Sequence, residues 1–266
     1  MKKAIAVSLV LALAVIFSGC TKGTNIFGWM TPAPGDLPVT AANAANAYAA
    51  GDYAAAMAQY EALIAANGQD SSAKYGYVKA YVKSVGLDLA SLIKSTSGNN
   101  APAFLVPGVV QKVSSQSAGY LLESNTAPFG INALVIEQLC EKIILHLNPI
   151  ALGECDGVIP ANDVSLNVTL AFAHLLKGVF TIIDPGQDGT IDYNIYDNGS
   201  TSEVVLWGTT TLVDSGTFDS VKATAQTALA NSISRFDVAI ATAGGGSIWE
   251  GVRDFLVQIQ TEFNSL

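Results

Sequence analysis

The 28-residue stretch TAANAANAYAAGDYAAAMAQYEALIAAN, residues 40–67, constrains the fold more than any other part of the chain. Its alanines favour helix, Thr40 is placed to cap the first run, Gly51 interrupts it, and Asp52 is placed to cap the second. In that second run Tyr53, Ala56, Tyr60, Leu63 and Ile64 recur at helical spacing on one face, and Gly68 stops it. A third segment, SSAKYGYVKAYVKSVG, opens on serines suited to capping and closes at Gly86. Two helices joined by so short a turn must lie antiparallel and bury their apolar faces on each other or on neighbours.

The later segments keep the helical period. Residues 131–147, INALVIEQLCEKIILHL, are apolar nearly all round, as expected of a central helix, and Pro149 is expected to end it. Residues 162–183 begin with an Asn or Asp cap and are again mostly apolar. Two long helices, 217–241 and 247–263, flank AGGGS as a closing hairpin. A Ser, Gly, Asn and Pro-rich stretch, 96–130, surrounds a helix expected at 107–123. Only EVVLWGTTTLV, 203–213, has strand character. With 50% hydrophobic and 13% charged residues, such a chain buries a large core. The expected class is all-α, built of stacked antiparallel helix pairs, with a short irregular or strand-like insertion around 184–213.

Residues 40–67 also resemble one tetratricopeptide repeat. Gly51 and Tyr53 match its turn, Ala56 the close helix crossing, and Tyr60 the aromatic that follows. Leu63 stands where the repeat prefers Ala and Gly68 where it prefers Pro; a weaker second repeat starts from Gly86. The resemblance covers about residues 40–95 and implies a stack of helix pairs with a concave face for peptide segments or protein partners. By spacing, Tyr48, Tyr53, Tyr60, Tyr77 and Tyr81 are mostly inter-helix packing, and some are candidates to line that face.

Met1, Lys2 and Lys3, the apolar run 4–17, and then Ser18, Gly19 and Cys20 make a secretory leader too short for a membrane span. Cys20 after Gly19 resembles the lipobox of bacterial lipoproteins, with Phe17 in place of the usual Leu. The resemblance implies a signal peptide over 1–19, lipidation at Cys20, a tether over 20–38 rich in Pro and Gly, and the helical domain over 39–266. An incidental cysteine or an uncleaved anchor is the alternative. Several acyl chains together hold a protein firmly at a bilayer. Thr21, where Asp would favour the inner membrane, points to the outer membrane and a periplasm-facing domain. The formal charge of −9, lowered further when Lys2 and Lys3 leave, gives no electrostatic footprint for nucleic acid or anionic headgroups.

Cys140 and Cys155 are an even pair in an oxidising compartment, and a disulfide between them would stabilise by about 3 kcal/mol. Two buried free thiols are the alternative. The stretch DPGQDGTIDYNIYD, 184–197, resembles an EF-hand-like calcium loop: Asp184 first, Asp188 fifth, Gly189 at the sharp turn, Ile191 at the apolar anchor and Asp192 ninth. Gly186 offers no side-chain oxygen and Ile195 occupies the twelfth position, so a run of solvated turns competes with calcium. His146 and His174 lie in apolar helices and read as core or groove residues. HExxH, GxSxG and GxGxxG do not occur, and no Lys follows AGGGS to make a phosphate cradle. The expectation is therefore a non-catalytic interaction module in a cell-envelope assembly, with a carrier of a hydrophobic small ligand as the alternative.

Overall fold

The structure is a computed structural model that describes residues 39–86, 119–120, 133–197, 202–206, 212, 215–244 and 248–265. Seven helices account for most of these residues. They are α1 (Ala41–Ala49), α2 (Tyr53–Ala66), α3 (Ser71–Ser84), α4 (Ala133–Ala151), α5 (Val164–Ile183), α6 (Ser215–Ala243) and α7 (Ile248–Ser265). Three strands, β1 (Gly119–Tyr120), β2 (Tyr193–Asp197) and β3 (Ser202–Leu206), pair antiparallel in the order β1-β2-β3. The all-α class with packed helix pairs is thus present, and the insertion after residue 184 supplies β2 and β3.

Side chains start these helices where the sequence places a cap. Thr40 Oγ1 accepts from Asn43 N at 3.2 Å, Asp52 Oδ1 from Ala55 N at 3.0 Å, and Asp163 Oδ1 from Leu166 N at 2.8 Å. The cap of α3 is Asp70 rather than a serine, its Oδ1 accepting from both Ser72 N and Ala73 N. Carboxylates satisfy two orphan amides better than a hydroxyl, which explains the shift of one residue. Gly51 turns the chain between α1 and α2 at φ +79°, a conformation that side chains resist.

Each helix packs on the next in chain order, and α1 also reaches α3. The middle of this array is α5, whose most extensive partner is α6 and whose other side meets α4. Gly178 lets α6 approach: a Cβ there would stand 3.3 Å from both Ala225 O and Ala228 Cβ. One turn-pair away, the buried Ser232 hydroxyl donates to Ala171 O at 2.8 Å. Phe172 meets Phe236 edge-on at 5.3 Å, and Phe236 lies near-parallel to Trp249 of α7 at 6.2 Å. Among the described residues α5 alone is long and apolar enough to cross a bilayer, and 83% of that window is buried by its neighbours. Its apolar length is that of a core helix.

Three expectations need correction. Pro149 does not end α4, which runs on to Ala151; a proline in the last turn breaks one bond, and Gly153 N and Glu154 N then close the end on Ile150 O and Pro149 O. The helix expected at 107–123 fails at 119–120, which are strand, while its other residues lie outside the described ones. Cys140 and Cys155 are not bridged; both thiols are free. The helix from Cys140 to Ala151 alone spans about 16 Å. Bridged Cα atoms stand about 4.4–6.8 Å apart, and the residues after Ala151 turn at Gly153 towards the start of α3 instead of running straight back along α4.

Beyond α4 the loop returns to the start of α3. Asp156 O accepts from Ser71 N at 2.8 Å and Asp156 N donates to Gln69 O at 2.7 Å. This brings Cys155 Sγ to 3.4 Å from the buried Lys74 Nζ.

Candidate functional site

The loop after α5 is folded around one carboxylate. Asp184 ends the helix and is fully buried; its Oδ2 accepts from Gly189 N at 2.8 Å and its Oδ1 from Asp188 N at 3.4 Å. Asp188 Oδ1 in turn accepts from Thr190 N at 2.8 Å. Gly189 takes φ +86°, Ile191 is anchored in the core, and Asp192 N closes the loop on Ile183 O at 2.9 Å before β2 begins. Of the three aspartates singled out in the sequence, Asp184 is interior while Asp188 and Asp192 are exposed at the loop surface.

A fourth carboxylate comes from α4 and was not singled out in the sequence. Both oxygens of Glu137 expose less than 1 Å² and have no hydrogen-bond partner. Burial, then the charges of Asp184, Glu141 and Asp188, push its carboxyl up to about 7. Asp192 is raised as well, by burial first and then by Asp184 and Asp188. An acidic residue inside a helix that is otherwise apolar nearly all round was the available signal.

The tyrosines divide by burial. Tyr60 and Tyr77 are 9% and 4% exposed and pack in the core instead of lining a face. Tyr77 stacks on Tyr81 at 6.0 Å and tilts against His146 at 4.7 Å. Burial first, then Lys142 and Lys74, hold His146 below the usual histidine range. Tyr48 and Tyr53 are half-buried on α1 and α2, with rings 5.6 Å apart. The ammonium of the exposed Lys79 stands 5.6 Å from the ring centres of both Tyr48 and the half-buried Tyr75. The result is a cationic and aromatic patch shared by α1, α2 and α3.

A cleft of about 380 Å³ opens between α4, α5 and α6, lined by Ile144, His174, Lys177, Thr224, Thr227 and Asn231 among others. His174 is 7% exposed, and burial, followed by Arg235 and Lys177, pushes it down to about 4, so it is neutral near pH 7.

Cys20, the leader and the tether over 20–38 lie outside the described residues. Comparison of the chain with protein-family models, with curated proteins and with solved structures gave no match.

Proposed function

We propose that this chain is a non-catalytic lipoprotein, held at the outer membrane by lipid on Cys20 and facing the periplasm, whose tetratricopeptide-like helices serve as a protein-interaction module in an envelope assembly. One observation carries the reading: Tyr48, Tyr53 and Tyr75 gather around Lys79 at the N-terminal end of the helical array, partly open to solvent. Tyrosine rings are among the groups that anchor protein interfaces, because they bury area at low entropic cost.

A second reading, a carrier of a hydrophobic small ligand, is favoured by the cleft beside His174. Its volume is in the range of about 300–1,000 Å³ that small-molecule sites occupy. Lys177 in its lining would ask for an acidic group on an apolar body.

Affinity capture of the solubilised protein distinguishes the two. A stoichiometric protein partner, lost with Tyr53→Ala and Lys79→Glu while the melting temperature holds, is the expected result. An extractable apolar acid without such a partner moves the function to the carrier.

A further inference from the structure

Lys74 of α3 is 8% exposed, a degree of burial that lysine almost never reaches without an acidic partner. What its ammonium meets is the sulfur of Cys155, 3.4 Å away and 81 residues further along the chain. The loop that carries this sulfur is seated on the start of α3 by bonds of its own. Ser71 N donates to Asp156 O at 2.8 Å, Asp156 N to Gln69 O at 2.7 Å, and Ile159 N to Ser71 Oγ at 3.4 Å. Gly157, at φ +116°, comes so close that a Cβ there would stand 2.6 Å from Ser71 Oγ. The amine and the thiol are thus held together by the backbone around them, not by their own contact alone. Cys155 is free and half-buried, within reach of a small oxidant. A sulfenic acid condenses with a second thiol or with a nitrogen. Cys140, the other described thiol, is 1% exposed within α4 and unbridged, so the nucleophile that the fold sets against Cys155 is the nitrogen of Lys74.

We propose that Cys155 is a peroxide-reactive thiol whose oxidised form Lys74 captures, as a reversible sulfur–nitrogen crosslink between α3 and the loop after α4. The sulfur attacks one oxygen of hydrogen peroxide; an S–O bond forms, the O–O bond breaks, and the other oxygen leaves as water. Sulfur gives up two electrons and the peroxide takes them. Lys74 releases one ammonium proton to solvent, and its nitrogen lone pair then attacks the sulfenic sulfur. The S–N bond forms, the S–O bond breaks, and the hydroxyl departs as water with a second proton from nitrogen. Lysine's flexible four-carbon stem supplies the remaining approach. A thiol reductant reverses the link: one thiol attacks the sulfur and frees the amine, and a second resolves the mixed disulfide to return the Cys155 thiol. The crosslink pins α3 to the connection between α4 and α5. It is independent of the interaction reading, and stands or falls separately from it.

The test treats the full chain, purified in detergent without reductant, with hydrogen peroxide in small molar excess. After digestion with chymotrypsin, mass spectrometry is expected to find the Lys74 and Cys155 peptides joined, about 2 Da lighter than their sum, and separated again by dithiothreitol. Lys74→Met, which fills similar space without the amine, is expected to lose the joined pair and to leave a Cys155 sulfenic acid that dimedone traps. Lys83→Met, exposed on the same helix, is expected to form the pair as the unmodified chain does. Cys155 in the unmodified chain recovered as thiol or as sulfinic acid, with Lys74 unlinked, overturns the proposal. Formation of the pair to the same extent in chain unfolded by guanidinium overturns it too, since the fold would then contribute nothing to the capture.

Discussion

The ring of Tyr60 on α2 lies over Gly76 of α3, so that a Cβ at position 76 would collide with its Cε1 and Cζ. The ring is buried and cannot swing into solvent. Overpacking costs roughly 1–3 kcal/mol, more than the ~1 kcal/mol that alanine returns in helix propensity. Gly76→Ala is therefore expected to lower stability by about 1 kcal/mol in denaturant unfolding. Gly251→Ala, where an added Cβ meets no described atom within 4 Å, is expected to raise it by about 0.5–1 kcal/mol. A gain at both positions would show that α2 and α3 do not pack this closely.

The free thiols differ in reach. Cys155 is half-buried beside Lys74, whereas Cys140 is buried and its thiol is pushed up to about 12, first by burial and then by Glu137. A thiol reagent applied to the native, unreduced protein is expected to label Cys155, with Cys140 following only on unfolding. Mass spectrometry locates the labels; a bridge between the two would leave both unlabelled until reduction.

Arg235 reaches from α6 to the C-terminus of α4, donating to Asn148 Oδ1 at 3.2 Å and Ala151 O at 3.4 Å. A cation at a helix C-terminus offsets the dipole and caps open carbonyls. Arg235→Met keeps most of the apolar stem and removes these bonds, with an expected loss of about 1–2 kcal/mol. Unfolding midpoints measure it.

Acid should weaken the fold through His174. Burial first, then Arg235 of α6 and Lys177 of its own helix, hold it down to about 4, below an unfolded value near 6.5. Its contribution is complete above about pH 6.5 and is lost as pH falls towards 4, because the unfolded chain takes up the proton first. His174→Gln is expected to flatten stability against pH across that window by up to one proton. An unchanged slope would mean that His174 titrates alike in both states.

How far the sequence could be read depends on the range of the interactions involved. Helix starts at Thr40, Asp52 and Asp163 follow from contacts within one turn, and they stand where local pattern places them. The class, the closing hairpin and the buried character of 162–183 follow likewise from periodicity. The cysteine pair went astray because spacing along the chain carries no information about a straight helix between the two residues. Glu137 escaped notice for the complementary reason: its neighbours Asp184 and Asp188 come from a different helix end. Nor does periodicity distinguish Tyr60 and Tyr77, which are buried, from Tyr48 and Tyr53, which remain partly open.

The central claim is that the aromatic patch on α1, α2 and α3 meets a protein partner in the envelope. Its most direct test places a photo-crosslinking residue at Tyr53 in living source cells, with a second protein carrying it at the exposed Thr261 of α7. The account expects one discrete crosslinked species from position 53, abolished by Lys79→Glu, and none from position 261. No species from position 53, or the same species from both positions, would contradict it.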